Sequence, residues 1–131
     1  MATEDRRNDG PAFPIARYEF AQQSWASGET TALAPTLKIN GTIKAIEVVV
    51  SNATNGITVT VALSTSDSAA AYSKASIAEN ASTWLDAVSH KGTPDADFNP
   101  IPINDTVTAT ITPSGDPGTS GVTVDVKLWV E

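Results

Sequence analysis

The sequence has no cysteine and only one histidine, and these absences exclude several kinds of active site. A disulfide framework, a thiolate metal site and a thiol nucleophile all need cysteine. His90 lies in the polar stretch His-Lys-Gly-Thr-Pro, and no serine stands in a Gly-x-Ser-x-Gly turn, so a serine hydrolase site is not expected. We predict that the chain is not an enzyme and has no catalytic residues, cofactor or metal ion.

The carboxylates form no complete motif either. Asp95, Asp97 and Asn99 have the alternating spacing of some calcium loops, but the glycine and the downstream glutamate that complete such a loop are missing. No two acidic residues stand in a recognisable glycosidase motif. The pattern favours neither a calcium site nor a glycosidase.

Basic residues are scarce, with 8 Lys and Arg against 15 Asp and Glu, which gives a net charge of −7. Such a charge disfavours binding to a phosphate backbone, and no glycine-rich phosphate loop is present. No apolar run reaches the length of a membrane span, and no apolar leader follows the first residues. We expect a protein made in a cytoplasm, with neither nucleic acid nor membrane as a partner.

The pattern of apolar residues predicts an all-β fold. A chain of 131 residues suits one domain. Residues 106–112 and 122–131 alternate between apolar and polar side chains, and turn signals recur about every ten residues. We predict six to eight short strands in a single antiparallel β-sandwich or jelly-roll-like domain, residues 13–131.

Residues 43–64 contain the strongest local signal. Asn55-Gly56 separates two β-rich runs and predicts a hairpin with a type I′ turn, in which Val50 faces Val61 and Asn52 faces Val59. One face of this hairpin is then apolar. Its residues are Ile46, Val48, Val50, Ile57, Val59, Val61 and Leu63.

Two further turns are predicted before the hairpin, and a region of ambiguous secondary structure follows it. Asn40-Gly41 predicts a second tight turn, the phase of Ile43 against Ile46 indicates a bulge near Lys44-Ala45, and residues 22–31 read as a turn region. Residues 69–90 fit either short helices or short edge strands, and the all-β surroundings favour strands.

The N-terminal residues 1–12 are charged and predict a flexible arm ahead of a first strand at residues 13–20. Arg6 and Arg7 are the cationic cluster of this arm, and Phe13 begins the domain. A sharper hypothesis is that the arm becomes ordered on a partner surface. Arg6, Arg7 and Phe13 are therefore candidate interface residues.

Trp129 is the fourth candidate, because the alternation of residues 122–131 places it on the polar face of its strand. Either a neighbouring loop or the N-terminal segment partly covers it, or it is an anchor at a protein or sugar interface. Trp25 and Trp84 lie in turn-like contexts and allow the same alternatives, with packing favoured. Two of these tryptophans on one exposed face would favour a carbohydrate platform.

Residues 42–61 and 108–131 together resemble small structural proteins of tailed bacteriophages, above all the head decoration (cement) proteins, which are acidic, cysteine-free and β-rich. The resemblance implies a virion structural protein on the outside of a capsid, with the major capsid protein as its partner. It also implies a homo-oligomer, with a trimer favoured, and a subunit interface that could include Trp129. The alternatives are a tail or fibre-associated module and a carbohydrate-binding or adhesive β-module.

Overall fold

The structure is a computed structural model, and it describes residues 16–86 and 98–131. These residues form eight strands and no helix. The strands are β1 (Ala16–Glu19), β2 (Gln23–Trp25), β3 (Thr36–Val50), β4 (Thr58–Thr65), β5 (Tyr72–Ala78), β6 (Ala81–Asp86), β7 (Ile101–Pro113) and β8 (Val122–Val130).

The eight strands join one curled antiparallel sheet in the order β1-β8-β3-β7-β4-β5. Strand β2 also pairs with β8, and β6 also pairs with β3. The prediction of an all-β fold with six to eight antiparallel strands is confirmed. The finer choice between a sandwich and a jelly roll stays a prediction.

Strand β3 is the longest strand, and it connects two parts of the sheet. Its residues 36–43 pair with β7, whereas its residues 45–50 lie between β6 and β8. The register shifts between Ile43 and Ala45, which confirms the predicted bulge. Because of the extra residue, Ile43 and Ile46 both face the core, where each is fully buried.

The core lies between the inward faces of the long strands, and the alternation predicted these faces correctly. Val107, Ala109 and Ile111 of β7 are buried. The same holds for the inward residues of β8, which are Val122, Val124, Val126, Leu128 and Val130. All the residues assigned to the apolar face of residues 43–64 are also buried. Hydrophobic burial of this continuous set stabilises the curled sheet.

The predicted hairpin at residues 43–64 is wrong, because β7 lies between β3 and β4 in the sheet. Neither Asn55 nor Gly56 has the positive φ that a type I′ turn requires. Instead the Asn55 N–H donates to Pro117 O at 3.0 Å, so the connection between the strands packs against another loop. Alternation determined which side chains are buried, but it did not determine which strand lies next to which.

The predicted turn at Asn40-Gly41 is also wrong, since both residues lie within β3. Gly41 has φ 148°, and a Cβ there would lie 2.7 Å from Val130 Cγ1 and 2.9 Å from Glu131 O. The glycine therefore allows a close approach of the backbone after β8, which pairs with Thr42 through two hydrogen bonds.

The predictions for residues 22–31 and for residues 69–90 are each correct in part. Residues 22–31 contain a turn, closed by Glu29 N–H to Ala26 O at 3.0 Å, but they also contain strand β2. Trp25 of that strand is buried, and its Nε1 donates to Thr31 O at 2.7 Å. Residues 72–86 form β5 and β6, so strands rather than helices are confirmed there. Trp84, predicted in a turn-like context, lies on β6.

Candidate functional site

Two tryptophans lie on the outer face of the sheet, on the strands that flank β3. Trp84 belongs to β6 and Trp129 to β8, and both strands pair with residues 45–50 of β3. Their chain neighbours Leu85 and Leu128 are buried in the core. Because successive side chains of a strand point to opposite faces, both indoles point to the outer face. We call Trp84 and Trp129 the tryptophan pair.

The two indole rings stack, with centroids 5.5 Å apart and ring planes inclined by 23°. Strands that flank a third strand are about 10 Å apart, so only long side chains meet above it. On β3, Ala45 lies opposite Trp129 and Glu47 lies opposite Trp84, and Ala45 is 5% exposed.

Trp129 carries an unsatisfied donor. Its Nε1 is buried and has no hydrogen-bond partner among the residues that the structure describes. A buried N–H without an acceptor costs about 1–3 kcal/mol. Both rings are half-buried as whole side chains, so the pair still presents aromatic surface to solvent.

Charged side chains of both signs lie around the tryptophan pair. Glu47 and Lys127 are directly opposite each other on β3 and β8. Lys44 Nζ lies 3.4 Å from Glu131 Oε1. An apolar centre with a mixed polar rim is the usual composition of a protein–protein interface.

A second arrangement lies where residues 26–29, 53–55 and 114–121 meet, and we call it the loop cluster. Asp116 Oδ1 accepts the N–H groups of Gly118 and Gly28, each at 2.8 Å. These bonds, that from Gly118 first, lower the pKa of the Asp116 carboxyl below its ordinary value of 3.8. Asn55 Nδ2 donates to Asp116 O at 2.9 Å. The cluster therefore joins three loops through one aspartate.

A shallow groove of about 400 Å³ runs between residues 65–71 and residues 99–104. Asp67 is the titratable side chain in its lining, together with hydroxyl, amide and proline groups such as those of Ser68, Asn99 and Pro100. One carboxylate without a second acid or base cannot perform paired acid–base chemistry. The groove therefore suggests no reaction.

The described residues contain no group of three or more His, Asp or Glu side chains that could hold a metal ion. Among the same residues there is no helix that could cross a membrane. His90, Asp95 and Asp97 lie outside the described part of the chain.

Of the four predicted interface residues, the structure describes one. Arg6, Arg7 and Phe13, with the arm of residues 1–12, lie outside the described residues. Trp129 is on the polar face of its strand, as predicted, and its role at an interface stays a prediction. Sequence reasoning gave Trp84 the same alternatives as Trp129 but favoured packing, and it did not predict that the two indoles stack on each other.

Comparison of the chain with models of protein families, with curated proteins and with solved structures finds no match.

Proposed function

We propose that this chain is a non-enzymatic virion structural protein that binds the outside of a tailed-phage capsid and stabilises it, as a decoration protein does. The observation that carries the proposal is the tryptophan pair on the outer face of the sheet. The resemblance of the sequence to decoration proteins supplies the partner, which is the major capsid protein.

The tryptophan pair favours a binding surface because the core does not need it. The inward faces of β3, β4, β7 and β8 are filled with aliphatic side chains, and neither Trp84 nor Trp129 belongs to that buried set. Tryptophan is also enriched among the residues that dominate binding energy, because it offers a large area with few rotatable bonds. Stacking fixes both rings before binding, which lowers the entropy lost on association.

Binding would stabilise the capsid by mass action. A ligand that binds only the mature shell stabilises it by RT ln(1 + [L]/Kd) for each site, and many sites on one shell act together. The net charge of −7 keeps free copies soluble and apart. The proposal includes self-association on the shell, with a trimer favoured, and contact through the arm that contains Arg6 and Arg7.

The test is co-sedimentation with undecorated capsids assembled from the major capsid protein of the same genome. We expect the protein to pellet with these capsids up to a saturating stoichiometry set by their symmetry, and to raise the temperature at which the shells dissociate. Absence of saturable binding to these capsids would overturn the proposal. Deleting residues 1–12 should weaken binding and leave the thermal unfolding of the free domain unchanged.

Carbohydrate binding is the second candidate, because the two tryptophans share one face of the sheet. Their geometry favours it less. A sugar platform needs ring faces turned to solvent, whereas stacking at 5.5 Å covers one face of each ring. Tryptophan fluorescence separates the candidates: a saturable shift with soluble bacterial polysaccharide, absent in Trp84→Ala, would favour the adhesive function.

A further inference from the structure

The dipeptide Asn-Gly occurs twice in the chain, at Asn40-Gly41 and at Asn55-Gly56. This dipeptide can modify itself, because glycine has no side chain to hinder attack by its own backbone nitrogen. The glycine nitrogen bonds to Cγ of the asparagine, the Cγ–Nδ2 bond breaks, and ammonia leaves. Water then opens the resulting cyclic imide to aspartate or isoaspartate, so water is the only co-reactant.

The two copies lie in different surroundings. Asn40 and Gly41 are held by strand pairing within β3, opposite Asn104 and Ile103 of β7. Gly41 is half-buried and closely flanked by the chain after β8. The backbone there cannot turn to bring the glycine nitrogen onto Cγ without breaking the strand pairing.

Asn55 and Gly56 lie outside any strand, and both are exposed. Nothing lies within 4 Å of the position that a Cβ of Gly56 would occupy. The hydrogen bonds described for this dipeptide use the Asn55 N–H and Nδ2, and none of them uses the Gly56 N–H. The space beside Gly56 is therefore open, and no described acceptor holds the attacking nitrogen.

The reaction would remove a bond on which the loop cluster depends. Asn55 Nδ2 donates to Asp116 O, and the product places a carboxylate opposite that carbonyl oxygen. An oxygen facing an oxygen repels where a donor attracted. The neighbouring bond between Thr54 Oγ1 and Ser120 Oγ, 2.9 Å long, joins the same two loops and depends on the same approach.

We propose that Asn55 is a site of spontaneous deamidation, and that this modification releases residues 53–55 from residues 114–121. Asn40 is protected in the same molecule. The hydrogen bonds of the loop cluster are therefore lost progressively as the protein ages. The loss is irreversible, because ammonia has left.

The test incubates the purified full-length protein at mildly alkaline pH and follows both sites by peptide mass mapping and by isoaspartyl methyltransferase labelling. We expect Asn55 to be modified about tenfold faster than Asn40, or more. In urea, where both dipeptides are unstructured, the two rates should become similar. Equal rates in the folded protein, or an Asn55 that reacts only in urea, would overturn the proposal.

Two variants separate the chemistry from its consequence. Gly56→Ala hinders the attack, and because a Cβ fits there it should slow modification and leave thermal unfolding unchanged. Asn55→Asp carries the product charge from the start and should unfold about 3–5 °C lower. An Asn55→Asp variant as stable as the wild type would refute the release of the loops.

Discussion

The rings of Trp84 and Trp129 stack with centroids 5.5 Å apart although strand β3 lies between the strands that carry them. The contact therefore connects β6 to β8 through side chains, across a strand that pairs with both. It also places two indole rings together on the outer face of the sheet, over a strand whose backbone is paired on both sides.

The first prediction concerns the energy of this contact. Trp84→Ala and Trp129→Ala should each lower the free energy of unfolding by about 2 kcal/mol, since each side chain is half-buried. In the double variant the losses should fall short of their sum by about 0.5–1.5 kcal/mol, the range for aromatic pairs. Urea unfolding of the four proteins measures this coupling. As a control, the losses of Trp84→Ala and Thr60→Ala should add in their double variant, because Thr60 lies on a different part of the sheet. If the losses of the two tryptophan variants also add fully, the contact is refuted.

The second prediction uses two glycines that bound the loop before β8. Gly121 has φ 66°, and a Cβ there would lie 2.5 Å from Trp25 O, whereas Gly115 has open space. Gly121→Ala should destabilise the protein by about 2 kcal/mol or more, because strain and a backbone clash add. Gly115→Ala should change stability by less than about 0.5 kcal/mol. Similar unfolding midpoints for the two variants would contradict the described loop.

The third prediction concerns acid. The pKa of Asp116 is lowered in the folded protein by the Gly118 and Gly28 N–H groups, so its ionised form stabilises the fold above the ordinary value of 3.8. That contribution is lost as the pH falls from 3.8 through the lower folded-state pKa. Asp116→Asn keeps an acceptor oxygen but no charge. Urea unfolding across this range should show a wild-type advantage that disappears in acid; an advantage that persists below it would be inconsistent with the shift.

The fourth prediction tests which strands are neighbours. Because the chain has no cysteine, two introduced cysteines are the only thiols that can pair within it. Ala62 of β4 lies opposite Thr110 of β7, so Ala62→Cys with Thr110→Cys should form a disulfide on mild oxidation. The predicted hairpin would instead bring Val49 opposite Ala62. Val49→Cys with Ala62→Cys should stay reduced, because Val49 lies opposite Ser82 of β6 and Asp125 of β8 and does not adjoin β4. Mobility on non-reducing gels and thiol titration decide between the two arrangements.

The sequence predicted the all-β fold class and the buried faces of the strands, because the alternation of apolar and polar residues is a local pattern along the chain. It did not predict the strand order, which depends on contacts far apart in the chain. Asn55-Gly56 shows the difference: its turn preference is overridden by hydrogen bonds to Asp116 and Pro117, some sixty residues away. Gly41 likewise reflects the passing backbone at Glu131 and not a turn.

For the candidate site, the sequence predicted the orientation of Trp129 but not its contact with Trp84. The outward direction of Trp129 follows from the alternation of its own strand. Its stacking on Trp84 requires β6 and β8 to flank β3, and no local pattern contains that arrangement. That Ala45 and Glu47 of β3 lie opposite Trp129 and Trp84 is likewise known only from the register.

The most direct test of the proposed function is a capsid titration with surface variants. Wild type, Trp84→Ala and the control Thr60→Ala are each added to undecorated capsids, and bound protein is measured after sedimentation. Trp84→Ala should remain folded by circular dichroism and should lose about tenfold or more in affinity, the loss expected of a dominant interface residue, whereas Thr60→Ala should bind as the wild type does. Equal affinity of all three proteins would contradict binding through the tryptophan pair.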